Sequence, residues 1–343
     1  MPAPLGANRQ VYPYVHGNGP VLPLSVPTPD LNTLPLPDLY RELASRRVAG
    51  GPSLVRRLLE LARDEDLGEQ GDVTTRVFAK PGAQSSCEIV ARGHAVVAGL
   101  VIIPEVLSLM GGGTFRAAAR DGDRVQPRQS LGRLDGDSRA ILAAERPILN
   151  FLGRLSGVAT RTAHFVAAMG PGVRSKLFDT RKTTPGVRVL EKYAVRCGGG
   201  MCHRMGLHDA VLLKDNHLAG ISSADLGRFV TDAAARARAS CSISFFEVEV
   251  DRLDQFESIL AAQRGAPESS KVDIVLLDNM GPELLAQAVT MRDRSGVAIE
   301  LEASGGVRED TIRAIALSGV DRISAGTLTH GATWVDFGLD AAP

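Results

Sequence analysis

The sequence predicts an α/β protein, and three observations carry that reading. After residue 170, strand-like apolar runs alternate with amphipathic helical runs, as in parallel strands joined by right-handed crossovers. Between 72 and 136 the runs are short and β-like, divided by Gly/Asp turns such as Asp121-Gly122-Asp123. Between these regions, 138–169 reads as one long helical stretch.

Each element has a local reason. Residues 1–37 hold nine of the nineteen prolines and almost no charge, which predicts a flexible Pro-rich arm. A short helical piece begins near Pro37 and closes at Gly50-Gly51-Pro52, so the arm is drawn as 1–50. Ser53 caps a helix whose apolar side carries Leu54, Val55, Leu58, Leu59 and Ala62. Strand-like runs follow at 87–97 and 115–119. Within 138–169, Pro147 lacks an N–H and crowds the preceding turn, which predicts a kink or break. Strands are expected at 174–178, 209–213, 244–250, 272–277, 297–302 and 320–325. Helices are expected at 185–196, 223–240, 251–264, 281–293 and 308–318, with Pro185 and Pro282 in first turns. An open doubly wound sheet and a β/α barrel both satisfy this alternation.

Composition excludes several function classes. The 343 residues suit one large unit or two. Lys+Arg and Asp+Glu both number 39, so the basic surplus of a polybasic nucleic-acid binder is missing. Aromatics at 4% argue against stacking platforms for single strands. No apolar run approaches the ~18 to 20 residues that span a bilayer, and the start lacks a secretory pattern. Four cysteines without a C-x-x-C pair predict free thiols in a reducing cytoplasm. Cys197 and Cys202, beside His203 and near His208, are too sparse a pattern to read as a zinc site.

Charge is concentrated in one window. Only six lysines occur, and four of them lie between 174 and 214, where nine Lys or Arg face three acids. Such a local surplus suits an anion, although a solvated basic face is an equal alternative. The predicted strands also end in chemically loaded groups: Asp179-Thr180-Arg181-Lys182, Lys214-Asp215-Asn216-His217, Glu247 and Glu249, Asp278-Asn279, Ser304-Gly305-Gly306 and Ala325-Gly326-Thr327. In a β/α barrel those ends build one site, and the last Gly-rich loops hold phosphate on backbone N–H groups. The cations suit carboxylates or pyrophosphate. The carboxylates suit Mg²⁺ or sugar hydroxyls. Pyrophosphate, ribose and a 5′-phosphate together describe phosphoribosyl pyrophosphate.

Blander roles are assigned as well. Glu247 and Glu249 share a strand face; Glu249 is favoured for the site, and Glu247 is left as a partner for an arginine. Arg188, Lys192 and Arg196 recur at helical spacing and read as surface charges. His94 and His164 sit in apolar settings and read as structural, while His330 stays open.

From about Asp64 to Thr329 the chain resembles the quinolinate phosphoribosyltransferase family, the carboxylating nicotinate-nucleotide pyrophosphorylases. The matching stretches include Gly71-Asp72-Val73-Thr74-Thr75, Glu145-Arg146, Arg154-Leu155-Ser156-Gly157, DTRKTTPG at 179–186 and EKYAVRCGGG at 191–200. His203-Arg204, KDNH at 214–217, EVEV at 247–250, LLDN at 276–279 and LEASGGV at 301–307 continue the series. Met201-Cys202 and an insertion-like segment at 264–271 depart from the pattern, and residues 1–50 have no counterpart.

The resemblance implies an N-terminal open-faced α/β sandwich domain at 51–165, to which 328–343 is a candidate addition, and an incomplete β/α barrel at 166–327. It implies transfer of the phosphoribosyl group of phosphoribosyl pyrophosphate to quinolinate with decarboxylation, in NAD biosynthesis. It also implies Mg²⁺ and a homodimer with shared active sites, dimer against hexamer staying open. By motif, Arg146, Arg181, His203, Arg204 and Lys214 line the quinolinate pocket, Arg146 being donated by the partner subunit. Lys182 lies near pyrophosphate, and Thr180 is a further substrate-binding residue. Glu249 and Asp278 hold ribose hydroxyls or the metal, directly or through water. Lys182, Glu249 and Asp278 are the expected catalytic groups. Ser304, Gly305, Gly306, Ala325, Gly326 and Thr327 take the 5′-phosphate. A related enzyme for another pyridine acid, a nicotinate phosphoribosyltransferase and a non-catalytic phosphosugar-binding regulator are the rival readings.

Overall fold

The computed structural model describes residues 30–47 and 51–342. The chain opens with three helices, α1 (Leu36–Ser45), α2 (Leu54–Leu67) and α3 (Val73–Phe78). Ser53 accepts a hydrogen bond from Arg56 N at 3.1 Å, the cap its position predicts. An antiparallel region follows, comprising β1 (Gln84–Ala91), β2 (Ala95–Val96), α4 (Ile103–Leu109), β3 (Thr114–Ala117), β4 (Arg124–Val125) and β5 (Ser130–Asp137). Next comes α5 (Ser138–Met169).

The second half alternates strand and helix. It runs β6 (Lys176–Phe178), α6 (Arg188–Cys197), β7 (Val211–Leu213), α7 (Asp215–Leu218), α8 (Ser223–Ser240), β8 (Phe246–Val250) and α9 (Leu253–Gln263). It continues with β9 (Ile274–Asp278), α10 (Pro282–Ser295), β10 (Glu300–Ser304), α11 (Ile312–Leu317), β11 (Arg322–Ser324), α12 (Thr327–His330) and β12 (Phe337–Ala341).

Two main sheets result. The first is antiparallel in the order β12-β1-β5-β3, so the end of the chain returns to pair Glu88 with Asp340. The second is parallel in the order β6-β11-β10-β9-β8-β7. Its edges β6 and β7 are not bonded to each other, which leaves the barrel open. The backbone around Met201 fills part of the gap: Met201 N donates to Leu177 O at 2.7 Å, and Asp179 N donates to Met201 O at 3.1 Å.

Several expectations change. The helix α5 runs unbroken through Pro147. A proline costs a helix interior about 3 kcal/mol, and burial of Ile148, Leu152, Leu155 and Val158 along the same helix offsets it. Two of its glycines admit a crossing segment. A Cβ on Gly157 would sit 2.0 Å from Thr333 O, and one on Gly153 2.8 Å from Val335 O. The predicted first turn at Pro185 is a turn, and α6 begins at Arg188. Of the predicted arm, residues 1–29 and 48–50 lie outside the described residues. Residues 30–47 are not a free arm, because Leu39 and Leu43 on α1 are fully buried. His94 and His164 are exposed, so neither is a core histidine.

Candidate active site

The C-terminal ends of the parallel strands surround a cavity of about 830 Å³. Fourteen of the fifteen expected site residues line it: Thr180, Arg181, Lys182, His203, Arg204, Lys214, Glu249, Asp278, Ser304, Gly305, Gly306, Ala325, Gly326 and Thr327. The exception is Arg146, which stands on α5 with its side chain 64% exposed. It lines a second cleft of about 1030 Å³ with Leu58, Leu61, Phe151 and Trp334. Lys182 and His330 line both openings.

The cationic wall is built from the loop between α6 and β7. Asp179, at the end of β6, accepts from Lys192 Nζ and from His203 N at 2.8 Å. Lys192 Nζ also donates to His203 O at 3.0 Å. Lys192 is fully buried, so its reading as a surface charge is wrong. Its neighbours on that helix face also work inward. Arg188 Nε donates to Thr183 Oγ1 at 2.9 Å, and Arg196 Nη2 to Leu34 O at 3.0 Å. Glu191 is buried as well; it accepts from Arg154 Nε at 2.9 Å and from Thr184 N at 2.9 Å. The EK pair in EKYAVRCGGG thus organises the loops beside the cavity, a role that charge periodicity hides.

Arg181 and Arg204 meet on this wall. Burial and then the nearby Arg181 charge push the Arg204 guanidinium below its ordinary pKa. Arg181 Nε is buried with no protein partner. Two guanidiniums with unspent donors form a receptor for a bidentate anion.

His203 is placed differently from expectation. Its Nε2 lies 3.2 Å from Glu247 Oε2 and 3.3 Å from Glu302 Oε1. Its Nδ1 accepts from Arg204 N at 2.8 Å. Both ring nitrogens therefore face protein. Burial disfavours the charged ring, but Glu302 and Glu247 outweigh it and lift His203 to about 9. The Arg204 N–H favours the neutral tautomer; one neutral hydrogen bond is worth about 1 kcal/mol, less than two buried carboxylates facing one proton. Burial and Glu302 raise Glu247, while His203 holds Glu302 low against its own burial. Glu302 also accepts from Arg322 Nε at 2.7 Å, and that guanidinium lies 3.8 Å from the Phe178 ring centroid. Glu247 thus serves a histidine where an arginine was expected. Glu302 was overlooked, although its place two residues before Ser304 on one strand face was a usable signal.

The opposite wall is acidic. Glu249 and Asp278 lie on the neighbouring strands β8 and β9, with Glu249 in register with Leu276. Glu249 is ion-paired to Lys214, so two residues expected to serve different ligands are joined. Asn279 Nδ2 donates to Asp278 Oδ2 at 2.6 Å. Asn279 itself has φ 55°, a left-handed conformation that Asn tolerates.

The glycine loops close the ring. Gly305 has φ 92°, and a Cβ there would meet Asn279 Oδ1 at 2.2 Å. A Cβ on Gly326 would meet Lys182 Cδ at 2.6 Å, so Gly326 is what lets Lys182 cross the rim. Thr329 Oγ1 donates to Lys182 O at 2.6 Å and fixes that loop. Oxygen donors from Glu249 and Asp278 on adjacent strands are the ligand chemistry Mg²⁺ prefers. No thiol joins a metal-competent cluster among the described residues; the group found is His203, Glu247 and Glu302.

Known proteins resemble this chain over most of its length. The quinolinate phosphoribosyl transferase N-terminal domain matches residues 72–156, and the C-terminal domain matches 158–340. The nicotinate-nucleotide pyrophosphorylase [carboxylating] of Mycobacterium leprae is 38% identical over 291 residues, covering 83% of this chain and 96% of that protein. A probable nicotinate-nucleotide pyrophosphorylase [carboxylating] of Bacillus subtilis is 36% identical over 289 residues, with 83% and 93% covered. The solved structure of the nicotinate-nucleotide pyrophosphorylase from Francisella tularensis superposes with a TM-score of 0.74 at 32% identity, covering 92% of this chain and all of that one. With its charged cavity at the open end of a parallel sheet, the chain belongs to the quinolinate phosphoribosyltransferase family, the carboxylating nicotinate-nucleotide pyrophosphorylases.

Proposed function

We propose that this chain transfers the phosphoribosyl group of phosphoribosyl pyrophosphate to quinolinate, releasing pyrophosphate and CO₂ and forming nicotinate mononucleotide. The observation that carries the reading is the pair Arg181 and Arg204, whose donors face one cavity opposite Glu249 and Asp278. A pyridine dicarboxylate matches the first wall, and a ribosyl cation matches the second.

The steps follow from charge. Arg181 and Arg204 hold the carboxylates and aim the ring nitrogen at ribose C1. That nitrogen's lone pair forms the new C–N bond as the C1–O bond to pyrophosphate breaks. Positive charge develops on the ribose, and Glu249 and Asp278 stabilise it in place. The nucleophile carries no proton, so this step needs no general base. Lys182 faces the departing pyrophosphate. Mg²⁺, when held by Glu249 and Asp278 directly or through water, supplies further neutralisation of phosphate charge. The ring nitrogen, now quaternary, stabilises the electron pair left at its neighbouring carbon when the carboxylate departs as CO₂, and that carbon takes up a proton. Most of the acceleration is positioning and charge complementarity.

Arg146 is assigned to the cavity of a second copy. In support, it stands exposed in a cleft that also displays Leu61 and Trp334, which are 64% and 59% exposed. Free cysteines suit a reducing cytoplasm. No described helix is long and apolar enough to cross a membrane.

Turnover with quinolinate against nicotinate, read as pyrophosphate and CO₂ release, tests the reaction. Quinolinate should be consumed with equal CO₂ release and nicotinate should be a poor substrate. Pyrophosphate release from nicotinate alone would overturn the reading.

A further inference from the structure

We propose that residues 30–45 form an internal strap that positions the His203–Arg204 wall, with Asn32 as its positioning residue. The proposal rests on the reading of that wall as a carboxylate receptor.

The wall has an intrinsic problem of order. Its loop begins with Gly198-Gly199-Gly200, and Gly199 has φ +87°. Three consecutive glycines carry more backbone freedom than any other triplet, and fixing them costs the most entropy. The segment also lies in the gap between the two edge strands, where no complete ladder holds it. It therefore depends on tethers from elsewhere. Asp179 and Lys192 hold the backbone of His203. Cys202, one residue earlier, is held by the strap.

Asn32 makes that attachment with both ends of its amide. Its Nδ2 donates to Cys202 O at 3.0 Å, and its Oδ1 accepts from Cys202 N at 2.7 Å. This satisfies both backbone groups of one residue, as a neighbouring strand would. The residues before Asn32 prepare it: Asn32 N donates to Asp30 Oδ1 at 2.9 Å, and Thr33 N to Asp30 O at 3.1 Å. The residues after it anchor the strap. Leu34 O accepts from Arg196 at 3.0 Å, and the Tyr40 ring meets Tyr193 edge-on at 5.6 Å. Leu39 and Leu43 are fully buried. Anchored at α1, the strap delivers one side-chain amide to the backbone that carries His203 and Arg204. It lies outside the residues matched by the two family domains, which begin at 72.

The test uses the full-length chain with Asn32→Ala and, as a comparison, Leu285→Val, which loosens the packing of α10, outside the strap. Amide hydrogen exchange of the ligand-free protein is read at residues 202–205. Exchange there should accelerate about tenfold in Asn32→Ala, the scale of one or two lost hydrogen bonds, and stay at the wild-type rate in Leu285→Val. Quinolinate binding should weaken about tenfold in Asn32→Ala, with the phosphoribosyl pyrophosphate KM within about twofold of wild type. Unchanged exchange in Asn32→Ala, or equal acceleration in both variants, would overturn the strap. Equal loss for the two substrates would overturn its specific link to the carboxylate wall. If the wild-type protein fails to bind quinolinate, the exchange data still decide the strap, and only the proposed function falls.

Discussion

The two clefts of this molecule differ in more than size. The cavity at the sheet mouth, about 830 Å³, draws its polar groups from strand ends and from loops tied to them. The larger cleft, about 1030 Å³, is framed by α2, α5 and residues 182–187 and displays Leu61, Phe151 and Trp334. Volume alone would select the second. Chemistry selects the first, because its charges are held by hydrogen-bonded backbone and cannot relax away from a ligand. Most groups of the larger cleft stand on the surfaces of α2 and α5, and Arg146 among them has an exposed side chain. One cleft is organised by its own chain, and the other is the one proposed to meet a second chain.

Four experiments test that contrast. The largest effect is expected at the cationic wall. Arg204→Ala removes a buried guanidinium and should cost about 2 to 5 kcal/mol of quinolinate binding, as for a truncated buried charge pair. Calorimetric titration measures it, and nicotinate bound as tightly as quinolinate by the wild type would contradict the two-carboxylate receptor.

The acidic wall should separate rate from binding. Glu249→Gln and Asp278→Asn keep size and lose charge, and each should lower kcat by roughly a hundredfold or more. Quinolinate affinity should change far less, because cations hold that ligand. Equal losses in kcat and affinity would indicate uniform binding instead. Unchanged kcat in two folded variants would return both residues to ion-pair roles, which the Lys214–Glu249 contact makes a real alternative.

The open cleft is tested by complementation. Mixing inactive Arg146→Ala with inactive Lys182→Ala subunits should restore about a quarter of full activity if Arg146 serves the partner's cavity. Random pairing makes about half the dimers mixed, and each mixed dimer has one intact site of two. No recovery after verified subunit exchange would place Arg146 in its own chain's site.

The smallest effect is the pH response of the histidine behind the cationic wall. The folded-state pKa of His203 is raised from 6.5 to about 9, because Glu302 and Glu247 outweigh the burial that opposes them. Its contribution to stability is therefore complete below about pH 6.5 and is lost as pH rises through about 9. Histidine ring NMR across this range should show the shifted midpoint, and Glu302→Gln should bring it down. A midpoint at 6.5 in the wild type would mean that Glu247 and Glu302 do not hold the proton on the ring.

Much of this is legible in the sequence. The predicted helix 223–240 coincides with α8, and the six predicted barrel strands each overlap an observed one, because buried parallel strands and amphipathic helices leave unlike periods in the chain. The loaded strand ends could be read as one rim because parallel topology places every C-terminal end on the same side. The failures share a different cause. Lys192 reads as a surface charge because spacing reports which residues share a helix face, not what that face meets; here it meets Asp179 and the backbone of His203. Pro147 predicted a break because local sterics carry no information about the burial that holds α5 together.

The sequence by itself determined the α/β class and the order of strands and helices, which follow from periodicity, and the loaded strand ends that rim the cavity; the family resemblance added His203 and Arg204. Only the tertiary structure decided that Asn32 would hold Cys202, 170 positions away. It also decided that His203 would face Glu247 and Glu302, and that Arg146 would open onto a different cleft. Such pairings depend on which distant segments come within hydrogen-bond reach. That proximity belongs to the packed chain, and no local stretch of sequence encodes it.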